Sequence, residues 1–297
     1  MKDLKLRVES IDRRLTYFEK IPTVIYEESS DASVAVANEI ATLIKMNDQK
    51  AKPTVLGLAT GSTPVRVYDE LVRLHKEEGL SFKNVITFNL DEYFPIEPNS
   101  LQSYVRFMNE HLFDHIDIPD KNVHIPDGTI AEDEVYKFCD EYERKIEEAG
   151  GLDIQILGIG RTGHIGFNEP GSLEKTRTRL VTLDELTRAD AAASFFGEEH
   201  VPRRAITMGV GTILKAKKIY LMAWGESKAS IIQRSVEGEI SAQVPATFLQ
   251  KHENTKIVLD EAAASELTRR KTPWLVGPCK WDDRRIRKAV TWLSLQI

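Results

Sequence analysis

Cysteine is scarce: the 297 residues hold two, Cys139 and Cys279, far apart and in no CxxC pair. That spacing points to neither a zinc site nor a redox motif, and two lone thiols fit a reducing compartment. No run approaches the ~20 apolar residues that a helix across a bilayer needs. The opening MKDLKLRVES is charged and lacks the apolar stretch of a secretory leader. Nor is there an excess of positive charge. Lys and Arg number 40 against 46 Asp and Glu, a net charge of −6, which gives no electrostatic reason to expect nucleic acid or an anionic membrane as partner. Internal repeats and low-complexity tracts are missing too. The expectation is a cytoplasmic protein whose anion-binding groups, if it has any, are placed locally.

Against those absences stands an ordinary globular composition, 41% hydrophobic and 29% charged, and a clear alternation of elements. Residues 1–30 form a polar lead-in with room for a helix and a short strand near Thr23–Tyr26. Ser30 or Asp31 can cap a helix carrying Val36, Ile40, Leu43 and Ile44 on one face. TVLGL at Thr54–Leu58 reads as a buried strand, and Thr63-Pro64 opens a helix with Tyr68, Leu71, Val72 and His75 on one face. Further strands are expected at 85–90, 153–159, 218–224 and 256–259. Helices are expected at 100–112, 132–148, 185–196 and 227–237. Short apolar strands alternating with helices predict an α/β fold, a Rossmann-like open and largely parallel sheet with helices on both faces.

In such sheets ligands bind beyond the carboxyl ends of the strands. Four strand ends carry unusual sequence. In ATGSTP, Gly61 permits a tight turn, Ser62 or Thr63 can cap the next helix, and Pro64 suits its first turn, so backbone N–H groups would face an anion; the plain alternative is a well-capped βα turn. In LDEYF, Asp91 is either a turn former or a general base at the site's mouth, with Glu92 structural. GIGRTGHIGFNEP sets four glycines around His164, with Glu169 five residues on. Glycine there lets main chain approach a group closely, and a histidine on such a loop is a natural proton carrier. GESK puts Lys228 at a helix start, against the helix dipole, which a shared anion would justify and a solvated lysine would explain equally.

Two patterns are set aside. His111 and His115 have metal-ligand spacing on a helix but no third ligand. Gly209-Val210-Gly211 lacks the rest of a dinucleotide fingerprint.

Together, ATGSTP, SFKNVITFNLDEY, GHIGFNEP and VGTIL with GESK resemble the glucosamine-6-phosphate deaminase (isomerase) family in order and approximate spacing, from about residue 33 to about 269. The 6-phosphogluconolactonases share its fold and sugar-phosphate site. The resemblance implies that Asp91 is the general base moving a proton between sugar carbons 2 and 1, that His164 assists ring opening, and that Glu169 supports it. It implies that Thr60, Gly61, Ser62, Thr63 and Lys228 hold the phosphate. The implied reaction converts glucosamine 6-phosphate to fructose 6-phosphate and ammonia, with no metal and no organic cofactor. The expected partners are a small-molecule sugar phosphate and further copies of the chain.

Three departures from the family pattern stand out. Thr162 replaces an aspartate beside His164; a hydroxyl can orient the ring but cannot stabilise imidazolium as a carboxylate would, which implies a changed pH–rate profile or slower turnover. A phosphate-binding arginine is missing where Ala193-Ser194 stand, and Arg188, Arg203 or Arg204 are the candidate substitutes. Arg179 and Thr182 fit an effector site for N-acetylglucosamine 6-phosphate, but Leu173 and Val181 replace polar positions, implying that this activation is lost.

The expected organisation is an N-terminal extension over 1–30, a deaminase-like domain over 31–270 and a C-terminal extension over 271–297. The last segment carries three tryptophans and an apolar stripe of Ile286, Val290 and Leu293. It reads either as a self-docked helix or as the lead into a further domain. Two other functions remain open on sequence grounds, a 6-phosphogluconolactonase-type hydrolase and a non-catalytic sugar-phosphate sensor.

Overall fold

The computed structural model describes residues 14–296. Ten strands run through them: β1 (Thr23–Tyr26), β2 (Thr54–Leu58), β3 (Val85–Asn89), β4 (Asp91–Phe94), β5 (Val123–His124), β6 (Ile154–Leu157), β7 (Arg179–Thr182), β8 (Arg204–Thr207), β9 (Ile219–Ala223) and β10 (Thr255–Asp260). The α-helices are α1 (Ser29–Asp48), α2 (Val65–Glu78), α3 (Tyr104–His111), α4 (Val135–Glu148), α5 (Glu185–Ala191), α6 (Val210–Ile213), α7 (Ala229–Glu237), α8 (Thr268–Lys271) and α9 (Asp283–Ser294).

Seven strands form one sheet in the order β1-β10-β9-β6-β2-β3-β5, and each neighbouring pair is parallel. The expected fold class is therefore the one observed. Period-two alternation divides the strand side chains between two cores. Leu56, Leu58, Ile154, Ile156, Tyr220, Met222 and Val258 pack under α1, α2 and α3. Val55, Phe88, Leu157, Leu221, Ile257 and Leu259 pack on the opposite face against Tyr142 and Ile146 of α4 and Ile231, Ile232 and Val236 of α7. Each fully buried Leu, Ile or Phe contributes about 1.5–3 kcal/mol, so both faces must be covered for the sheet to persist.

The strand order sets the location of the site. From β2 the chain moves outward to β3 and β5, then returns to place β6 on the other side of β2 before continuing to β9 and β10. The order reverses between β2 and β6. At such a switch point the loops leaving neighbouring strands diverge to opposite faces and open a crevice at the strand carboxyl ends.

Several local expectations are corrected. DEYF is a strand, β4, rather than a turn; it pairs antiparallel with β8, and β8 with β7, in a second three-stranded sheet. The α1 helix begins at Ser29 with Glu28 as its cap and no side-chain cap bond, so Ser30 and Asp31 lie inside the first turn. Pro64, not Ser62 or Thr63, is the cap residue of α2, again without a side-chain bond. The third helix starts later than expected, at Tyr104, because Ser103 caps it by accepting from the Arg106 N–H. The strand expected near Thr23–Tyr26 is β1. No helix lies over 14–22, and the rest of the lead-in, residues 1–13, is outside the described residues.

Candidate active site

The crevice at the switch point is a cavity of about 230 Å³ lined by Ala59–Thr63 after β2, Leu90 and Asp91 after β3, Gly158–Gly160, His164, Gly166 and Phe167 after β6, and Tyr104 of α3. Thr60, Gly61, Ser62, Thr63, Asp91 and His164, named from sequence, are thereby brought together. Larger surface depressions exist elsewhere, including one of about 690 Å³ beside α9, but they do not gather these groups.

One part of the lining is the turn 59–63. Gly61 adopts φ +91°, a left-handed conformation that favours glycine. The turn is pinned from both sides: the Tyr68 hydroxyl donates to Ala59 O at 2.5 Å and the Trp224 indole donates to Thr63 O at 3.0 Å. The backbone N–H groups of Gly61, Ser62 and Thr63 meet no acceptor among the described residues. A fixed turn offering unengaged N–H groups is the arrangement that receives an anion.

Asp91 also lines the cavity and is 6% exposed. Burial, and then the neighbouring Glu92 charge, raise its carboxyl from 3.8 to about 8, against the opposing pull of the Phe167 N–H. Gly166, at φ +56°, passes so close that a Cβ there would come within 3.2 Å of Asp91 Oδ2 and 3.0 Å of Thr207 Oγ1. Glu92 points away from the chemistry. It accepts from the N–H groups of Tyr93 at 2.9 Å, Tyr104 at 2.7 Å and Val105 at 3.1 Å, anchoring the first turn of α3.

His164 is held by its own loop. A Cβ on Gly160 would lie 2.2 Å from His164 Nε2, so that glycine makes room for the ring. Gly160 N–H also donates to His164 O at 3.1 Å. On the far side of the ring, Nδ1 lies 3.0 Å from Glu169 Oε2, 3.2 Å from Thr162 Oγ1 and 3.4 Å from Thr187 Oγ1. Burial pushes the Glu169 carboxyl up, but bonds from His164, Thr187 and the Asp184 N–H outweigh it and leave the group below the usual glutamate range. A carboxylate on Nδ1 fixes the ring's orientation and its proton-bearing nitrogen. Thr187, on α5, escaped the sequence reading: it sits in a helix with no glycine or charge cluster to mark it, and only the docking of α5 over the loop brings it to His164.

Lys228 is not part of the lining. Its Nζ donates to Ile159 O at 2.8 Å, at the rim of the loop that does line the cavity. The candidate arginines are engaged elsewhere or point outward. Arg188 faces Glu198 at 3.4 Å. Arg204 forks onto Glu132 at 2.6 and 3.1 Å and lies over the Phe94 ring. Arg203 is exposed. The two patterns set aside also have structural explanations: Gly209 admits the Thr176 backbone, whose oxygen would lie 2.1 Å from a Cβ, and His115 donates to Glu110 O at 2.9 Å.

Fold and site together define an α/β protein of the open parallel-sheet type, whose switch-point cavity is lined by a turn of unengaged N–H groups, a carboxyl and an imidazole. A model of the family described as glucosamine-6-phosphate isomerases/6-phosphogluconolactonase matches residues 27–258, and the chain belongs to that family. A glucosamine-6-phosphate deaminase of Shewanella woodyi is 52% identical over 80% of this chain and 89% of its own. A glucosamine-6-phosphate deaminase-like protein of Bacteroides thetaiotaomicron is 49% identical over 94% of this chain, which spans only 42% of that relative's length. Among solved structures, a monomeric glucosamine-6-phosphate deaminase superposes with TM-score 0.79 at 41% identity, covering 83% of this chain and 100% of the other. A 6-phosphogluconolactonase of Thermotoga maritima, at 23% identity and TM-score 0.64 over 81% and 99%, shares the fold.

Proposed function

We propose that the chain isomerises and deaminates glucosamine 6-phosphate to fructose 6-phosphate and ammonia. The observation that carries this reading is one cavity lined at once by the Gly61 turn, Asp91 and His164. The phosphate docks on the N–H groups of 61–63 with Lys228 at the rim, giving binding energy remote from the reacting carbons. His164, oriented by Glu169, passes a proton to the ring oxygen and opens the sugar. Asp91, as carboxylate, takes the proton from carbon 2 and returns it to carbon 1 through an enolamine intermediate, the carbon-1 oxygen taking up a proton from solvent. The resulting imine at carbon 2 adds water and releases ammonia, leaving the ketone.

The experiment is ammonia release from purified protein given glucosamine 6-phosphate, with Asp91→Asn as control. Ammonia from the wild type and a loss of about 10²–10⁴-fold in the variant are expected, the range for removing a general base. Binding of the sugar phosphate without turnover would replace the reading with a sensor.

The expected homo-oligomer is tested by light scattering of the purified protein; one solved relative is described as monomeric. Loss of activation by N-acetylglucosamine 6-phosphate is supported by the depression around Arg179: Leu173 and Val181 line it, and the arginine already donates to Asn168 at 2.9 Å and Ser172 at 3.1 Å. Among the described residues no helix is long and apolar enough to cross a membrane. The two free thiols support action in the cytoplasm.

A further inference from the structure

The cavity lining contains no lysine or arginine, although a sugar phosphate brings close to two negative charges. Lys228 supplies one cation at the rim. The arginines expected to supply a second, Arg188, Arg203 and Arg204, are turned to Glu198, to solvent and to Glu132. A fourth arginine adjoins the lining in sequence. Arg161 directly follows Gly160, which lines the cavity, and is two residues from Ile159, whose carbonyl holds Lys228.

Its guanidinium is held by one carboxylate, Asp190 of α5. Nε donates to Asp190 Oδ2 at 2.9 Å and Nη2 to Oδ1. That fork uses one edge of the group; Nη1 makes no hydrogen bond among the described residues. An arginine has five N–H donors in a planar array, so a guanidinium chelated along one edge can still present the other to an oxyanion. The three charges also sense one another: burial lowers the Lys228 ammonium, Asp190 raises it and Arg161 lowers it. Arg161, Asp190 and Lys228 thus form one cluster at the rim, with Asp190 the unwelcome member for an arriving phosphate.

We propose that Arg161 is the second phosphate-binding cation of this site, oriented by Asp190 along one edge and offering Nη1 to the phosphate, in the role for which the sequence suggested only Arg188, Arg203 and Arg204. The inference rests on the sugar-phosphate reading of the cavity and extends it to a residue that determines preference for a phosphorylated over an unphosphorylated sugar. Asp190 restrains the guanidinium along one edge, a contact that an amide in its place keeps in part, while its negative charge opposes the phosphate's attraction to the cluster.

The test compares Arg161→Ala, Arg161→Lys and Asp190→Asn in the full chain, by ammonia-release kinetics with glucosamine 6-phosphate and by calorimetric binding of inorganic phosphate. Arg161→Ala is expected to raise KM and the phosphate Kd together by about 10- to 100-fold, the loss of one charge-assisted contact, with kcat within about threefold. Arg161→Lys should restore part of the loss. Asp190→Asn should tighten phosphate binding. The melting temperature of each variant should stay within a few degrees of wild type, since the pair is exposed. If the pair merely fastened α5 to the loop, Arg161→Ala and Asp190→Asn would weaken phosphate binding alike, and that result overturns the proposal. So does Arg161→Ala binding phosphate as the wild type does. Arg161-dependent phosphate binding without ammonia release would retire the deaminase reading and leave this one standing; ammonia release indifferent to Arg161 would do the reverse.

Discussion

Asp91 is destabilising where it stands, and its chemistry depends on that environment. Burial and the adjacent Glu92 set its carboxyl at about 8, against an ordinary value of 3.8. Between those two values the folded protein keeps a proton that the unfolded chain has released, so stability falls as pH rises through that window. Asp91→Asn removes the ionising group. It should raise Tm relative to wild type, more at about pH 9 than at about pH 5, even as ammonia release collapses; thermal melts at the two pH values check this, and an equal shift at both would contradict it. In the wild type, kcat/KM should fall as pH drops below about 8, because the proton-abstracting form is the carboxylate. That Asp91, His164 and the Gly61 turn would gather at the strand carboxyl ends was legible at this scale, because the segments following β2, β3 and β6 carry unusual glycine, acidic and histidine residues. Thr187 and Arg161 were not: neither residue type nor spacing marks them, and their neighbours come from elsewhere in the chain.

Among the elements, β4 and α3 matter most to the site, and Glu92 joins them. Its carboxylate receives the N–H groups of Tyr104 and Val105 at the start of α3 while sitting beside Asp91. Glu92→Gln gives up one of the oxygens that accept from these N–H groups, but it also removes a carboxyl that burial raises from 4.5 to about 7, so its stability relative to wild type should rise as pH goes from about 5 to about 8. The same change removes the charge that helps raise Asp91, so the acid limb of the kcat/KM profile should move to lower pH. Denaturant melts at those two pH values and a kcat/KM profile read the two effects separately. The strand identity of β4 could not be read from DEYF. Its pairing partner β8 begins at Arg204, more than a hundred residues later, and two adjacent acids argue locally for a turn. By contrast β2 was read to the residue, since five consecutive buried positions between turn signals have few other interpretations.

For the molecule as a whole, the family match ends at 258, and the C-terminal end of the chain packs differently from the matched region. The α9 helix has no buried residue, and Ile286, Val290 and Leu293 are 48%, 60% and 55% exposed. We propose that 271–297 is an extension outside the catalytic unit. Truncation after residue 280 should shift stability by no more than about 1 kcal/mol, as for surface changes away from the core, and should leave ammonia release unchanged. A melt and an activity assay of the shortened chain test this.

Taken alone, the amino-acid order determined the parallel α/β layering, because the alternation of short apolar runs with amphipathic helices is a local signal and both faces of such a sheet must be covered. It also determined which residue types stand at the strand ends. Only the tertiary structure decided that β2 and β6 lie side by side at the reversal of strand order, that Asp91 is buried enough to hold its proton, that Glu92 turns to α3, and that Arg161 pairs with Asp190 on an exposed surface. Those outcomes depend on contacts between segments far apart in the chain, where desolvation and neighbouring charge are set by packing rather than by the residues on either side.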